Sequence, residues 1–261
     1  MKKTNQPTSK NEGRVNIVIP MAGRGSRFAD AGYAFPKPII DIHGKTMIEV
    51  VIDNLRPTVP HKFIFICQKE HYEKYDLHNI LKNATDNNFE VVQINGVTEG
   101  AACTVLTAAS YINDENDLLI ANSDQFVQTD IDAFIGAGRE KGVDGLIMTF
   151  EASHPKWSYA RTDRDGKVLE VAEKRVISKH ATVGIYHFKR GKDFVESAQA
   201  MIHKNIRHNG EFYVCPVYNE LILAGKNIRI SGIKAQEMHG LGTPEDLKMF
   251  LQKLDEKKIS I

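Results

Sequence analysis

The sequence predicts an α/β protein built on a mostly parallel sheet with helices on both faces. Short apolar runs that suit buried strands alternate with helical patterns from residue 15 to residue 149, which is the order that parallel βαβ units require. The 261 residues are enough to bury a large core. Apolar residues make up 42% and charged residues 26% of the chain, an ordinary globular composition.

The alternation can be followed element by element through the first part of the chain. Predicted strands occupy 15–20, 62–67, 89–94, 117–121 and 145–149, and predicted helices occupy 46–55, 69–81, 100–111 and 130–141. Thr46 and Glu49 have the spacing of a capping box at the start of the first helix, and Asp130 is placed to cap the last. Each of the first four strands is therefore followed by a helix that can return the chain to the same edge of the sheet.

After residue 150 the pattern changes to a hairpin and then to helices. Asp163–Gly166 is a hairpin turn sequence between predicted strands at 157–162 and 168–173. A strand at 181–188, helices at 192–203 and 212–224 and a strand at 227–230 follow. Thr243, Pro244 and Asp246 start a closing helix. We expect a loose tail at 1–13 and one domain over 14–261 that divides at residue 150.

Charge and cysteine content exclude several protein classes. The 34 Lys and Arg residues against 33 Asp and Glu residues give a net charge of +1, without the basic surplus of a duplex-binding protein. The three cysteines form no CxxC pair, which disfavours a disulfide framework and a zinc knuckle. No apolar run is long enough to span a bilayer, and no secretory signal is recognisable. We expect a cytoplasmic protein that binds neither nucleic acid nor a membrane.

The most informative segment runs from Pro20 to Lys45. It follows a predicted strand, its glycines allow the backbone close to a ligand, and free N–H groups in such a turn form an anion-binding nest. The segment has four cations against two aspartates: Arg24, Arg27, Lys37 and Lys45 against Asp30 and Asp41. A phosphate-binding loop and a tight turn with solvated arginines both fit the glycines alone. The Walker pattern fails at Ile39, and the dinucleotide pattern of dehydrogenases fails at Phe28.

The extended motif resembles the signature of a known family. Residues 22–28 read AGRGSRF, residues 36–38 read PKP and residues 44–49 read GKTMIE. Together they resemble the nucleoside-diphosphate-sugar pyrophosphorylases, the nucleotidylyltransferases that join a nucleoside triphosphate to a sugar phosphate. The resemblance is specific over 17–50 and looser beyond. It implies a Rossmann-like three-layer nucleotidyltransferase fold with a small inserted acceptor-binding sheet, a nucleotide-binding core at 14–150 and an acceptor-binding part at 151–261.

The resemblance also implies which residues bind the nucleotide. Arg27 would hold the β- and γ-phosphates and Lys37 the attacking and transferring phosphates, because fixed cations lower the repulsion between approaching anions. Further nucleotide contacts are implied for Met21, Ala22, Gly23, Arg24, Gly25, Ser26, Glu99, Gly100 and Ala101. The last three also fit a small-residue helix that packs closely against the sheet, and both interpretations stay open.

Metal and acceptor contacts are implied further along the chain. Asp124 matches the Mg²⁺-binding aspartate of the family and follows a predicted strand, where ligands usually bind; a turn aspartate is the alternative. Glu173 and Lys174 match a pair that binds the acceptor, although such dipeptides are usually surface ion pairs. The implied acceptor pocket is completed by Thr182, Gly184 and Tyr159.

The sequence departs from the family pattern near its end. Many relatives carry a second Mg²⁺-binding aspartate where this chain has Gly240, with Glu237 and His239 nearby. Histidine is a poor Mg²⁺ ligand. Either Asp124 and substrate phosphates hold one metal ion, or Glu237 adds a second protein ligand.

The resulting hypothesis is a Mg²⁺-dependent nucleotidylyltransferase that condenses an NTP with a phosphorylated metabolite, preferably a sugar 1-phosphate, for glycan or capsule synthesis. One alternative is a CTP-dependent cytidylyltransferase acting on a polyol, choline or amino-acid phosphate. Another is a non-catalytic nucleotide-sensing homologue, which the missing second aspartate would suit. The base, the acceptor and the oligomeric state stay open, with a homo-oligomer as one option.

Overall fold

The computed structural model describes residues 13–261. Of the tail predicted at 1–13, all but Gly13 lies outside the described residues. No helix in the described part of the chain has the length and apolar character needed to cross a membrane.

The first part of the chain alternates strands with helices, as predicted. Its elements are β1 (Val15–Pro20), α1 (Ser26–Asp30), a 3₁₀ helix (Lys37–Ile39), β2 (Asp41–Ile42), β3 (Lys45–Thr46), α2 (Met47–Leu55), β4 (His61–Gln68), α3 (Lys69–Lys74), α4 (Leu77–Ala84), β5 (Phe89–Ile94), α5 (Ala101–Leu106), α6 (Ala109–Ile112), β6 (Asp117–Ala121), β7 (Gln125–Val127), α7 (Ile131–Gly138) and β8 (Gly145–Glu151). The predicted capping box is present: Thr46 Oγ1 accepts from the Glu49 N–H, and Glu49 Oε2 accepts from the Thr46 N–H.

The remainder begins with the predicted hairpin. Its elements are β9 (Tyr159–Thr162), β10 (Val168–Ala172), β11 (His180–Phe188), α8 (Gly191–His203), α9 (Val217–Leu223), β12 (Ile228–Gly232), a second 3₁₀ helix (Ala235–Glu237), β13 (Met238–Gly240) and α10 (Pro244–Asp255). Thr243 caps α10 by accepting from the Asp246 N–H, with Pro244 at the first helical position. The sequence signals for the start of this helix are therefore confirmed.

In the described part of the chain, nine strands form one sheet. Strands β5, β4, β1 and β6 are parallel neighbours, β11 joins β6 antiparallel, and β8 and β12 continue beyond β11. The β9–β10 hairpin, expected as a small inserted sheet, is attached to the main sheet through the start of β11. Two small antiparallel sheets, β2–β3 and β7–β13, complete the fold. The predicted α/β class with a mostly parallel central sheet is confirmed.

Three predicted helices differ from the observed ones. The helix predicted at 69–81 is divided into α3 and α4 because Asp76 adopts a left-handed conformation with φ 51°. The one predicted at 100–111 is divided into α5 and α6. The one predicted at 212–224 begins only at Val217, because Phe212 is hydrogen-bonded to Glu99 and Ala102 instead of to its own turn.

The central strands are buried on both faces. In β1, Val15, Ile17 and Ile19 belong to one apolar core and Val18 to the other, as the alternation of side chains along a strand requires. Helices cover both faces, as parallel sheets require. The loops that follow β1 and β6 consequently emerge at the same edge of the sheet, where ligands bind in folds of this class.

Candidate active site

A cleft of about 880 Å³ opens at this edge and extends to the β9–β10 hairpin. Its volume lies within the range of small-molecule binding sites. Eight of the predicted nucleotide-binding or catalytic residues line it: Met21, Ala22, Gly23, Arg24, Arg27, Lys37, Gly100 and Ala101. The predicted Asp124, Glu173, Lys174, Thr182 and Gly184 line it as well. Residues from both parts of the chain therefore meet in one cavity.

Lys37 and Asp124 form the closest charged contact in the cleft. Lys37 Nζ donates to Asp124 Oδ2 at 2.7 Å, and both side chains are about three-quarters buried, with exposures of 22% and 27%. Pro36 and Pro38 flank Lys37 in its 3₁₀ helix and restrict the backbone that carries the ammonium. Asp124 follows β6, and its carbonyl accepts from the Leu241 N–H. A fixed lysine and a fixed carboxylate thus face each other where the parallel strands end.

Three residues predicted to bind the nucleotide do not line the cleft. Gly25 adopts a left-handed conformation with φ 60° and caps α1, and Ser26 is the first residue of that helix. The Glu99 side chain is exposed and forms an ion pair with Arg207. Gly25 and Ser26 therefore set the direction of the loop, while its cleft surface is formed by residues 21–24 and by Arg27.

Gly100 lies where two chain segments approach closely. It has φ 129°, and a Cβ atom there would lie 2.4 Å from the Phe212 carbonyl oxygen. The Phe212 N–H donates to the Glu99 carbonyl, and the Ala102 N–H donates to the Phe212 carbonyl. The two interpretations of this small-residue segment are therefore compatible, because it packs closely against Phe212 and also lines the cleft.

We expect Gly100→Ala to destabilise the protein by roughly 2–4 kcal/mol, because the methyl group would overlap backbone atoms and require an unfavourable φ. Chemical denaturation of the ligand-free protein measures this change. Gly136→Ala in α7 is the matched control, since nothing lies within 4 Å of its Cβ position and alanine favours helices. An unchanged denaturation midpoint for Gly100→Ala would show that the turn adjusts freely.

Glu173 and Lys174 line the cleft beside Ser158 and Tyr213. Ser158 Oγ donates to Glu173 Oε2. Burial raises the pKa of Glu173, and the Ser158 hydrogen bond and the Lys174 charge oppose that rise. Lys174 Nζ donates to the Tyr213 hydroxyl at 2.8 Å, and this hydrogen bond raises the pKa of Lys174. The alternative interpretation, a surface ion pair between Glu173 and Lys174, is not observed for these two described residues, since each side chain is hydrogen-bonded to a hydroxyl group instead.

Strand β11 supplies part of the cleft wall. Thr182 Oγ1 and the Tyr186 hydroxyl are 3.0 Å apart, and both residues line the cleft. Gly184 has φ 98°, and a Cβ atom there would lie 2.2 Å from Asn122 Nδ2. Glycine is thus required where β11 passes the loop that carries Asp124.

The structure does not support the prediction that Tyr159 binds the acceptor. Its side chain is fully buried, and its hydroxyl donates to the His154 carbonyl at 2.8 Å. Ser158, one residue earlier, lines the cleft instead. The correction follows from strand geometry, because successive side chains point to opposite faces.

The structure likewise does not support Glu237 as a metal ligand. Its carboxylate accepts from the Lys234 N–H, and its carbonyl accepts from the Gln128 N–H. In the pairing of β13 with β7, Gly240 lies opposite Gln125, the residue after Asp124, and Met238 lies opposite Val127. Glu237 precedes Met238 and therefore lies beyond the end of β13 that is farther from Asp124. No group of three or more His, Cys, Asp or Glu side chains in residues 13–261 is arranged to hold a metal ion.

Several cleft residues have no counterpart in the sequence analysis. They are Val97, Thr98, Thr104, Asn122, Ser123, Lys156, Val183, Tyr186, Glu211, Tyr213, Val214 and Cys215. Trp157 and Ser158, which the sequence offers with Tyr159 as possible walls of the acceptor pocket, line the cleft as well. A usable signal existed for Glu211 and Tyr213. Asn209-Gly210 is a tight-turn sequence, and in the structure His208 and Glu211 pair across this turn. A tight turn at this position argues against a helix that starts at residue 212.

Comparisons with known proteins agree with this geometry. A family model described as nucleotidyl transferase matches residues 17–216. The bifunctional protein GlmU of Methanocaldococcus jannaschii is 25% identical over 238 residues, which cover 89% of this chain and 52% of that protein. GlmU of Buchnera aphidicola is 23% identical over 252 residues, covering 94% and 51%. The chain thus spans about half the length of the curated relatives it matches.

Solved structures show the same architecture. A nucleoside-diphosphate-sugar pyrophosphorylase from Vibrio cholerae RC9 is 30% identical, with a TM-score of 0.75 and coverage of 90% of this chain and 99% of that one. The inositol-1-phosphate CTP transferase of T. maritima has a TM-score of 0.73 at 12% identity, covering 94% and 97%. The latter likeness concerns the fold alone.

Proposed function

Because the chain belongs to the nucleotidyl transferase family, we propose that it transfers the nucleotidyl group of an NTP to a phosphorylated metabolite and releases pyrophosphate. The family and the enzyme class predicted from the sequence are confirmed at this level. A sugar 1-phosphate is the acceptor that we favour, since the 30%-identical Vibrio cholerae protein is named as a nucleoside-diphosphate-sugar pyrophosphorylase. Supply of an activated sugar for glycan or capsule assembly is the corresponding role.

One observation carries this proposal: a single cleft is lined by two differently equipped groups of residues. Arg24, Arg27 and Lys37 line it from the segment after β1 and would form its nucleotide end, and Glu173 and Lys174 line it just after β10 and would form its acceptor end. Three cations suit a triphosphate, while a carboxylate beside an ammonium suits a ligand with both hydroxyl groups and a phosphate. The two ligands would therefore meet near the Lys37–Asp124 contact.

The chemistry requires no covalent intermediate with the protein. An oxygen of the acceptor phosphate attacks the α-phosphorus and forms a P–O bond, while the bond to the β-phosphate oxygen breaks and pyrophosphate leaves with that electron pair. Lys37 neutralises charge on the approaching phosphates, and Arg27 steadies the leaving pyrophosphate. Catalysis then consists of positioning and of electrostatic stabilisation by side chains that are already fixed.

The residues present fit a single Mg²⁺ ion. Asp124 supplies one carboxylate next to the phosphate end of the cleft, and Mg²⁺ commonly takes one or two carboxylates together with substrate phosphate oxygens. The Lys37 ammonium at 2.7 Å already marks this carboxylate as a cation-binding group. Asp124 would hold the ion, which would neutralise charge on the substrate phosphates when bound.

A pyrophosphate-release assay tests the proposal. The protein is incubated with Mg²⁺, each of CTP, UTP, dTTP and GTP, and a panel of sugar 1-phosphates. We expect release with one base preferred, and the same NTP should raise the melting temperature most, because ligand at 100 times its Kd stabilises by about 2.7 kcal/mol. Absence of both release and thermal shift with every NTP would refute the proposal and favour a homologue without nucleotidyl transfer.

Tyr213→Phe should raise the KM for the acceptor roughly tenfold and leave the KM for the NTP unchanged. The variant removes the hydroxyl that holds Lys174 Nζ, and a hydrogen bond to a charged group contributes about 1.5–3 kcal/mol. Steady-state kinetics with the acceptor found in the assay measure both constants. Tyr111→Phe, outside the cleft lining, is the control. Equal changes in both KM values would contradict a role confined to the acceptor end.

A further inference from the structure

We propose that Gln68 is a positioning residue that fixes the separation of the two loops at the nucleotide end of the cleft, and thereby sets the affinity for NTP. Nothing in the sequence analysis points to this residue, and it does not line the cleft. The inference rests on the proposed function, since it presumes that an NTP occupies this end.

Gln68 joins the two loops through one amide group. Its Nε2 donates to the Ala22 carbonyl at 2.6 Å and to the Gly96 carbonyl at 2.7 Å. A glutamine amide has two N–H donors, and both are used here. The Ala22 carbonyl belongs to the loop after β1, and the Gly96 carbonyl belongs to the loop between β5 and α5.

Its place in the sheet explains why Gln68 reaches both loops. It is the last residue of β4, which lies between β1 and β5. The Met21 N–H donates to the Ile66 carbonyl, and this is the last backbone hydrogen bond that joins the first loop to β4. Ala22 is buried with 4% exposure, and a buried carbonyl needs a partner. Gln68 supplies that partner and extends the connection across to Gly96.

The two loops provide different surfaces of the cleft. Gly23 and Arg24 line it on the first loop, and Val97, Thr98 and Gly100 line it on the second. A nucleotide has a charged polyphosphate at one end and a base at the other, so one that contacts both loops requires a fixed distance between them. Preorganised binding groups raise affinity because less order is lost on binding. An inorganic polyphosphate needs only the cationic surface and is indifferent to that distance.

A comparison of two ligands therefore distinguishes a positioning role of Gln68 from a general effect on protein stability. The variant Gln68→Leu keeps the approximate size of the side chain and removes both donors. We measure the Kd of whichever of CTP, UTP, dTTP and GTP binds the wild-type protein most tightly, and the Kd of inorganic tripolyphosphate, both with Mg²⁺. The expected result is a roughly tenfold weaker NTP affinity and a tripolyphosphate affinity within about twofold of wild type.

The controls make each outcome decisive. Gln252→Leu is the matched substitution, since the Gln252 amide donates locally to Glu256, the residue that follows α10. If Gln68→Leu does not fold, Gln68→Glu replaces it, because an ionised carboxylate has neither donor. Equal weakening of both ligands, or no weakening of the NTP, overturns the inference. In either case pyrophosphate release by the wild-type protein would leave the proposed function standing, whereas failure of every NTP to bind would refute both.

Discussion

Turnover should fall at least 100-fold when Asp124 is replaced by asparagine, whereas the melting temperature should change little. Asparagine keeps the size of the side chain but removes the negative charge that would hold Mg²⁺ beside the phosphates. Removing one fixed electrostatic contact to a transferring group commonly costs about 10²–10³ in turnover. The loss should appear in kcat, because charge on the transferring phosphate develops most strongly in the transition state.

Pyrophosphate release across a Mg²⁺ titration measures this effect. Recovery of activity by Asp124→Asn only at high Mg²⁺ would show that the substitution weakens metal binding. Asp165→Asn is the control, since Asp165 is exposed in the β9–β10 turn and is not among the residues that line the cleft. Turnover of Asp124→Asn close to that of the wild type would remove Asp124 from the mechanism and leave it as a structural partner of Lys37.

Lys37→Ala is the second substitution expected to abolish most of the activity, again by 100-fold or more, which corresponds to about 2.7 kcal/mol of transition-state stabilisation. The Lys37 ammonium would lie between two phosphates that must approach each other. A water molecule in its place would carry no charge and would not offset their repulsion to the same extent. The variant Lys37→Arg should have little more activity than Lys37→Ala, because a guanidinium differs in shape and hydration from an ammonium.

Lys45→Ala is the matched control for Lys37. Lys45 belongs to the same segment, but its Nζ donates to Asp53 at 2.9 Å and it does not line the cleft. Activity close to wild type is expected. The double variant Lys37→Ala with Asp124→Asn should lose less than the product of the single losses, because residues acting on the same charge are not additive. Unimpaired turnover of Lys37→Ala would overturn its catalytic role.

Much of the architecture could be predicted from the sequence because the signals are local. Apolar runs of strand length marked β1, β4, β5 and β6, and the capping sequences marked the starts of α2 and α10. The same local logic placed Lys37 between two prolines and Asp124 just after a strand. That the two side chains belong to one site was implied only by the family resemblance, and the structure places Lys37 Nζ 2.7 Å from Asp124 Oδ2.

The acceptor end could not be predicted in the same way, since its contacts join distant residues. Lys174 and Tyr213 are 39 positions apart, and their meeting depends on how residues 208–215 cross to the Gly100 turn. The strand register decided the corrected residues. A shift of one position put Ser158 in the cleft and Tyr159 in the core, and the pairing of Gly240 with Gln125 carried Glu237 away from Asp124.

Hydrophobic periodicity, caps and turn residues act over a few positions, and they were enough to predict the α/β class, the order of the elements and the cationic loop. Which side chains face the cleft and which loops are joined depends on long-range packing, as for the Gln68 amide between Ala22 and Gly96. The reason is physical: a strand side chain points to one face or the other according to register, and register is fixed by packing across the whole sheet.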